Sequence, residues 1–166
     1  MNFFKKNAKI LIIIGGLLTI FSLFTPTSFH TEPGSTYFVW MNQIYLEIVP
    51  TFTIGLLRFD ITLNIFSTAF SVIIFSSSII SITTSFIYRK LSVEAKRHKR
   101  NLLILAFLIA ISTLAWIIMM EVYYRIYGYP HWSIGGGGYI PHFGVIGPFI
   151  GSIFIGLGVL LERNDK

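Results

Sequence analysis

"LLILAFLIAISTLAWIIMM", residues 102–120, runs for nineteen residues without a charge, and its only polar side chains are Ser112, Thr113 and the indole of Trp116. A helix that packs in a soluble core carries a polar face at 3.6-residue spacing; this stretch has none. At about 1.5 Å per residue it reaches roughly 28 Å, close to the ~30 Å hydrocarbon thickness of a bilayer. The stretch reads as a membrane-spanning helix.

Three other segments have the same character. The expected spans are 8–26, 61–87, 102–124 and 143–161, and no charge falls between Ile61 and Tyr88. The composition agrees, with 54% hydrophobic and 12% charged residues in 166, against about 25% charged in an ordinary soluble domain. The first span is the shortest. Lys5, Lys6 and Lys9 ahead of "ILIIIGGLLTIFSLF" (10–24) also suit a signal peptide. However, "TPTSF" (25–29) is a poor small-x-small cleavage site, so the segment reads as an uncleaved helix lengthened by Phe29. The expected fold class is an all-α integral membrane protein: one domain, 1–166, forming a four-helix transmembrane bundle.

Charge orients this bundle. "RKLSVEAKRHKRN" (89–101) holds six basic residues and only Glu94 against them. Basic residues beside a span stay on the cytoplasmic side. With this loop inside, four spans bring both termini inside as well. Eleven of thirteen basic and three of seven acidic residues then lie inside, a net of +8, against −2 outside. The expected location is the cell membrane, with N- and C-termini cytoplasmic. Basic residues next to a bilayer attract anionic headgroups at about 1 kcal/mol each, but setting topology is the simpler role. The loop has no interleaved aromatics, so nucleic acid is not an expected partner. The expected partners are the lipid bilayer and another membrane protein or a second copy.

Two segments lie outside, 27–60 and 125–142. The first is too long for a plain connector. "TYFVWMNQIYLEIV" (36–49) is rich in aromatic and β-branched residues, which suits a small β-hairpin centred near Asn42-Gln43, with "TFTIGLL" able to add a third strand. An amphipathic helix in the interface, with Trp40, Ile44 and Ile48 on one face, is the competing reading. The second holds "HWSIGGGGYIPHFG" (131–144). A Walker loop needs Lys and Ser or Thr after its glycines, and a dinucleotide fold needs a strand before them; neither is present. The glycines read as a supple link, and Tyr123, Tyr124, Tyr127, Tyr129 and Trp132 as an interfacial aromatic belt.

Within the spans, Asp60, Asn64, Ser67, Ser71, Ile74, Ser78, Ser81 and Ser85 fall on one face of the second helix, in steps of three and four. Small hydroxyl residues let helices approach closely in lipid, and each hydroxyl can bond its own helix's carbonyls. Ser67, Ser71, Ser78 and Ser81 are thus expected packing residues. A hydrophilic path would also need ionisable groups near the midplane, and there are none. Gly144, Gly147, Gly151 and Gly158 share a face of the last helix, Gly147 and Gly151 as a small-xxx-small pair, and Gly15-Gly16 mark close approach on the first.

Few residues can carry chemistry. Glu121 and Arg125 stand four apart and should pair. His131, His142 and Glu121, completed by His30 or Asp60, form a conceivable zinc, copper or iron site, although loop histidines and an interfacial ion pair are the ordinary explanation. No catalytic residue and no cofactor is expected, a metal ion being the one alternative. The absence of cysteine excludes thiolate catalysis and cysteine-ligated zinc. No histidine inside a span excludes bis-histidine haem there, and no G-x-S-x-G motif appears. The expected function is binding: a scaffold or accessory subunit working through its outer segments and small-residue helix faces. The alternatives are a membrane enzyme, or a subunit of one, with an outer-face metal, and an oligomeric pore around the serine face. The layout, with both termini inside, a longer first outer segment and a glycine-bearing last helix, is similar to that of claudin-type tetraspans. The resemblance is one of fold, since the paired cysteines typical of that group's first outer loop are missing.

Overall fold

The computed structural model describes residues 7–32, 35–41, 44–48, 52–56, 61–87, 92–127 and 140–161. Among these residues are four helices and five strands, the strands joined in one sheet. They run α1 (Ala8–Leu23), β1 (Ser28–Glu32), β2 (Ser35–Val39), β3 (Ile44–Ile48), β4 (Phe52–Leu56), α2 (Ile61–Ile87), α3 (Ser92–Tyr127), β5 (Ile140–Pro141) and α4 (Phe143–Leu161). Helices α2, α3 and α4 are long and apolar enough to cross a membrane, which points to a membrane location.

Helix boundaries follow local chemistry. α1 stops at Leu23, three residues short of the expected 26, because Pro26 disfavours a helical backbone at the residue before it. Phe29 accordingly belongs to β1 and does not prolong the helix. α3 begins ten residues before Leu102, so residues 92–101 of the basic stretch are helical. Ala, Glu, Lys and Arg are strong helix formers, and no Gly or Pro interrupts them.

Each helix packs against two others: α1 on α4 and α2, α3 on α2 and α4. The arrangement departs from a water-soluble bundle in burying small hydroxyl residues beside its apolar core and exposing large apolar ones. Thr19, Ser22, Ser67, Ser78, Ser81 and Thr113 are buried, while Phe21, Phe66, Phe107 and Ile153 stand exposed. Lipid tails are as apolar as leucine, so turning large residues outward costs nothing there, and close backbone contact decides which face turns inward.

The α1–α4 contact shows this directly. Ala8, Ile12, Gly15, Thr19 and Ser22 meet Gly158, Ile155, Gly151 and Gly147 in antiparallel order. A Cβ on Gly15 would lie 2.5 Å from the Gly151 carbonyl oxygen, and one on Gly151 equally close to that of Gly15. No side chain fits between the two backbones. The hydroxyls at this seam are satisfied locally, Thr19 donating to the Gly15 carbonyl at 2.9 Å and Ser22 to that of Thr19 at 2.6 Å.

Strands β1 to β4 form an antiparallel meander rather than an interfacial helix. Phe38 pairs with Leu46 between β2 and β3, and Tyr45 with Gly55 between β3 and β4. Strand order is β4-β3-β2-β1-β5, so β5, from the other connecting segment, closes the far side of β1 through Ser28–Pro141 and Phe29–Ile140.

Candidate functional site

The residues with the most specific geometry lie where the sheet meets the helices. β1 leaves α1 after a turn of four residues, and β5 leads into α4 after one, so the sheet is held at two helix ends. Three sets of hydrogen bonds fasten it. The Trp40 indole donates to the Phe24 carbonyl at 3.0 Å, satisfying a carbonyl beyond the end of α1. Thr27 donates twice to the Val39 carbonyl, from its amide at 2.7 Å and its hydroxyl at 2.8 Å. The His142 amide donates to the Thr27 carbonyl at 2.8 Å and the Gly144 amide to that of Pro26 at 2.9 Å. The last of these supplies an acceptor to the first turn of α4, where amides have no partner within the helix. A Cβ on Gly144 would lie 2.5 Å from the Pro26 oxygen, so this closure requires glycine.

The deepest fastening is Trp116. Its ring is fully buried in α3, and its N–H is shared between the Met41 carbonyl at 3.1 Å and Ser67 Oγ at 3.3 Å. Met41, just beyond β2, is itself 2% exposed and belongs to the helical core cluster. The sheet thus drives one residue into the space between α2 and α3. A buried indole N–H needs an acceptor, and here it selects a backbone oxygen 75 positions away. Sequence reading did not find this contact. Its signal was a tryptophan, the one N–H side chain in a span whose other donors are the hydroxyls of Ser112 and Thr113.

The expected site residues distribute as follows. Ser67, Ser78 and Ser81 are fully buried and Ser71 half-buried on α2. Ser71, Ser78 and Ser81 donate to the carbonyls of Ser67, Ile74 and Ser77 at 2.7–3.0 Å. Gly147 and Gly151 face Ser22 and Thr19 of α1. Arg125 Nε donates to Glu121 Oε1 at 2.8 Å in an i,i+4 pair, with the arginine side chain 75% exposed. A pair that open contributes under about 1 kcal/mol.

His142 caps α4, its carbonyl accepting from Val145 at 3.0 Å, and its ring stands edge-on to Phe29, centroids 5.9 Å apart. His30 is opposite Tyr37 in the sheet register. His131, Asp60 and glycines 135–138 lie outside the described residues. Among the described residues no three of His, Asp and Glu gather as metal ligands. Ser28 Oγ, Asn64 Oδ1, Glu121 Oε2 and His142 Nδ1 are buried atoms without a hydrogen-bond partner among the described residues.

No protein-family model matches the chain, and no curated protein matches it.

Proposed function

We propose that the chain is a four-span membrane protein that holds its β-sheet rigidly at the outer bilayer surface as a binding platform, acting as a scaffold or accessory subunit. The observation that carries this reading is the Trp116–Met41 bond. A sheet serving only as a connector would need no anchor inside the helical core. The anchors at Phe24, Thr27 and His142 add to it, because a preorganised surface loses less entropy on binding than a loose one.

The fourth span in this reading is α1. Its 16 residues alone reach about 24 Å, short of a bilayer core. Yet the segment from Ala8 to Pro26 lies alongside α4 from Gly158 to Gly144. If α4 crosses the membrane, its antiparallel companion occupies the same slab. The sheet then lies on the side opposite Arg97, Lys99 and Arg100, which the positive-inside rule assigns to the cytoplasm, together with both termini. Burial of Ser67, Ser78 and Ser81 within one chain supports packing over a pore lined by these hydroxyls.

The chain contains no cysteine, so single replacements report cleanly. Asn101→Cys and Ile140→Cys, both at exposed positions, should differ towards a membrane-impermeant maleimide, Ile140→Cys labelling in intact cells and Asn101→Cys only once the membrane is permeabilised. A photo-crosslinker at Ile140 should capture a protein partner or second copy that one at Asn101 does not. Equal capture from both positions would remove the platform reading. Stoichiometric metal in the purified protein, lost on replacing His131 and His142, would favour an enzyme instead.

A further inference from the structure

Positions 97, 100, 104, 107, 111, 114 and 118 of α3 follow one another in alternating steps of three and four, and all seven are exposed. They form one straight stripe. Its upper part is Ile104, Phe107, Ile111, Leu114 and Ile118, the surface this helix turns to lipid in the proposed membrane reading. Its lower end is Arg97 and Arg100. The two guanidinium groups therefore continue the lipid-facing surface, while the bundle-facing side of the same turns carries buried His98 and Leu102.

Setting membrane topology requires only that basic residues be near a span; it does not require them on a particular face. Depth is also suitable. Counting from Leu102, where the uncharged stretch starts, Arg100 lies about 3 Å and Arg97 about 7.5 Å further along the axis. The headgroup layer occupies roughly 5–8 Å beyond the hydrocarbon on each side. Residues three apart on a helix are neighbours, about 5–6 Å between Cβ atoms, and like charges so placed repel. An anion between them removes that repulsion. Among the residues whose side chains are described neither arginine has an acidic partner, whereas Arg125, on the same exposed side at the other end of α3, is paired with Glu121.

The geometry points to a binding site for the phosphodiester headgroup of an anionic phospholipid, with Arg97 and Arg100 bracketing the phosphate and one acyl chain lying along Ile104 and Phe107. Guanidinium suits this role because its planar fork can give two parallel hydrogen bonds to phosphate oxygens. The acyl contact selects a lipid over a free phosphate ester. The inference rests on the membrane reading proposed above but not on which way the chain faces.

The test is native mass spectrometry of the full chain, purified in neutral detergent and given equal phosphatidylglycerol and phosphatidylcholine. Wild type should retain phosphatidylglycerol preferentially. Each of Arg97→Gln and Arg100→Gln should lower that preference about fivefold, and the double variant about thirtyfold, the equivalent of ~1 kcal/mol per charge. Arg125→Gln should leave it unchanged. An unchanged thermal midpoint in the double variant shows that folding is intact. Equal retention of both lipids, a double variant that behaves as wild type, or glycerol 3-phosphate competing as well as the whole lipid each overturns the site. Labelling of Asn101→Cys from outside the cell would overturn the orientation alone, since headgroup retention in detergent does not depend on it.

Discussion

At the scale of single residues, glycine has two different meanings on one helix. Gly151 faces the Gly15 carbonyl and Thr19 with no room for a methyl group, whereas a Cβ on Gly156 would meet nothing within 4 Å. Gly151→Ala should therefore destabilise the fold by about 1–3 kcal/mol through overpacking. Gly156→Ala should be neutral or stabilising by up to about 1 kcal/mol, because alanine is the better helix former. Thermal unfolding in detergent, followed by circular dichroism, distinguishes them, and equal shifts for the pair would contradict the α1–α4 contact. The sequence places both glycines in the same span. Their spacing relative to Gly144, Gly147 and Gly158 already separates Gly151 from Gly156, but the partner surface is invisible until α1 is seen against it.

At the scale of elements, the serine face of α2 was readable because hydroxyl residues recur at helical spacing in a segment with no charge and, Asn64 apart, no other polar side chain. The hydroxyls mostly bond carbonyls of their own helix, and so their value lies in small size rather than in linking helices. The sheet was only half readable. Aromatic and β-branched residues over 36–49 announce strands, but β1 is "SFHTE" and β5 is two residues long. Neither has an alternating pattern of its own; both exist because partner strands and helix ends fix their backbones. The link between sheet and bundle rests on Trp116. Trp116→Phe keeps an aromatic ring in the core but removes the indole N–H and leaves the Met41 carbonyl without that donor, at a cost of about 1–3 kcal/mol. Hydrogen exchange should then quicken across 35–41 while α4 stays protected. Uniform quickening of both would mean that the tryptophan supports the core in general and is not a specific anchor.

At the scale of the whole molecule, charge asymmetry is the property with the widest consequence. Exchanging Arg89, Lys90, Arg97 and Arg100 for Glu lowers the net charge of the basic side from +8 to zero, close to the −2 opposite. In the proposed topology this should yield a mixed population, with Asn101→Cys labelled from both faces of the membrane. Retention of a single orientation would mean that the folded sheet, and not charge, governs insertion. Composition and run length alone were enough to identify long apolar helices, since a segment of about twenty uncharged residues has few other stable environments. They were also enough to rule out cysteine chemistry. Which face of each helix turns inward was partly legible, because small residues cluster where backbones approach. What surrounds that face was not. The capture of Met41 by Trp116, the closure of β5 onto β1, and the alignment of Arg97 and Arg100 with the exposed side of α3 each depend on contacts between distant parts of the chain. Local periodicity describes a segment's own faces, and a hydrogen bond spanning 75 positions leaves no trace in either segment taken separately.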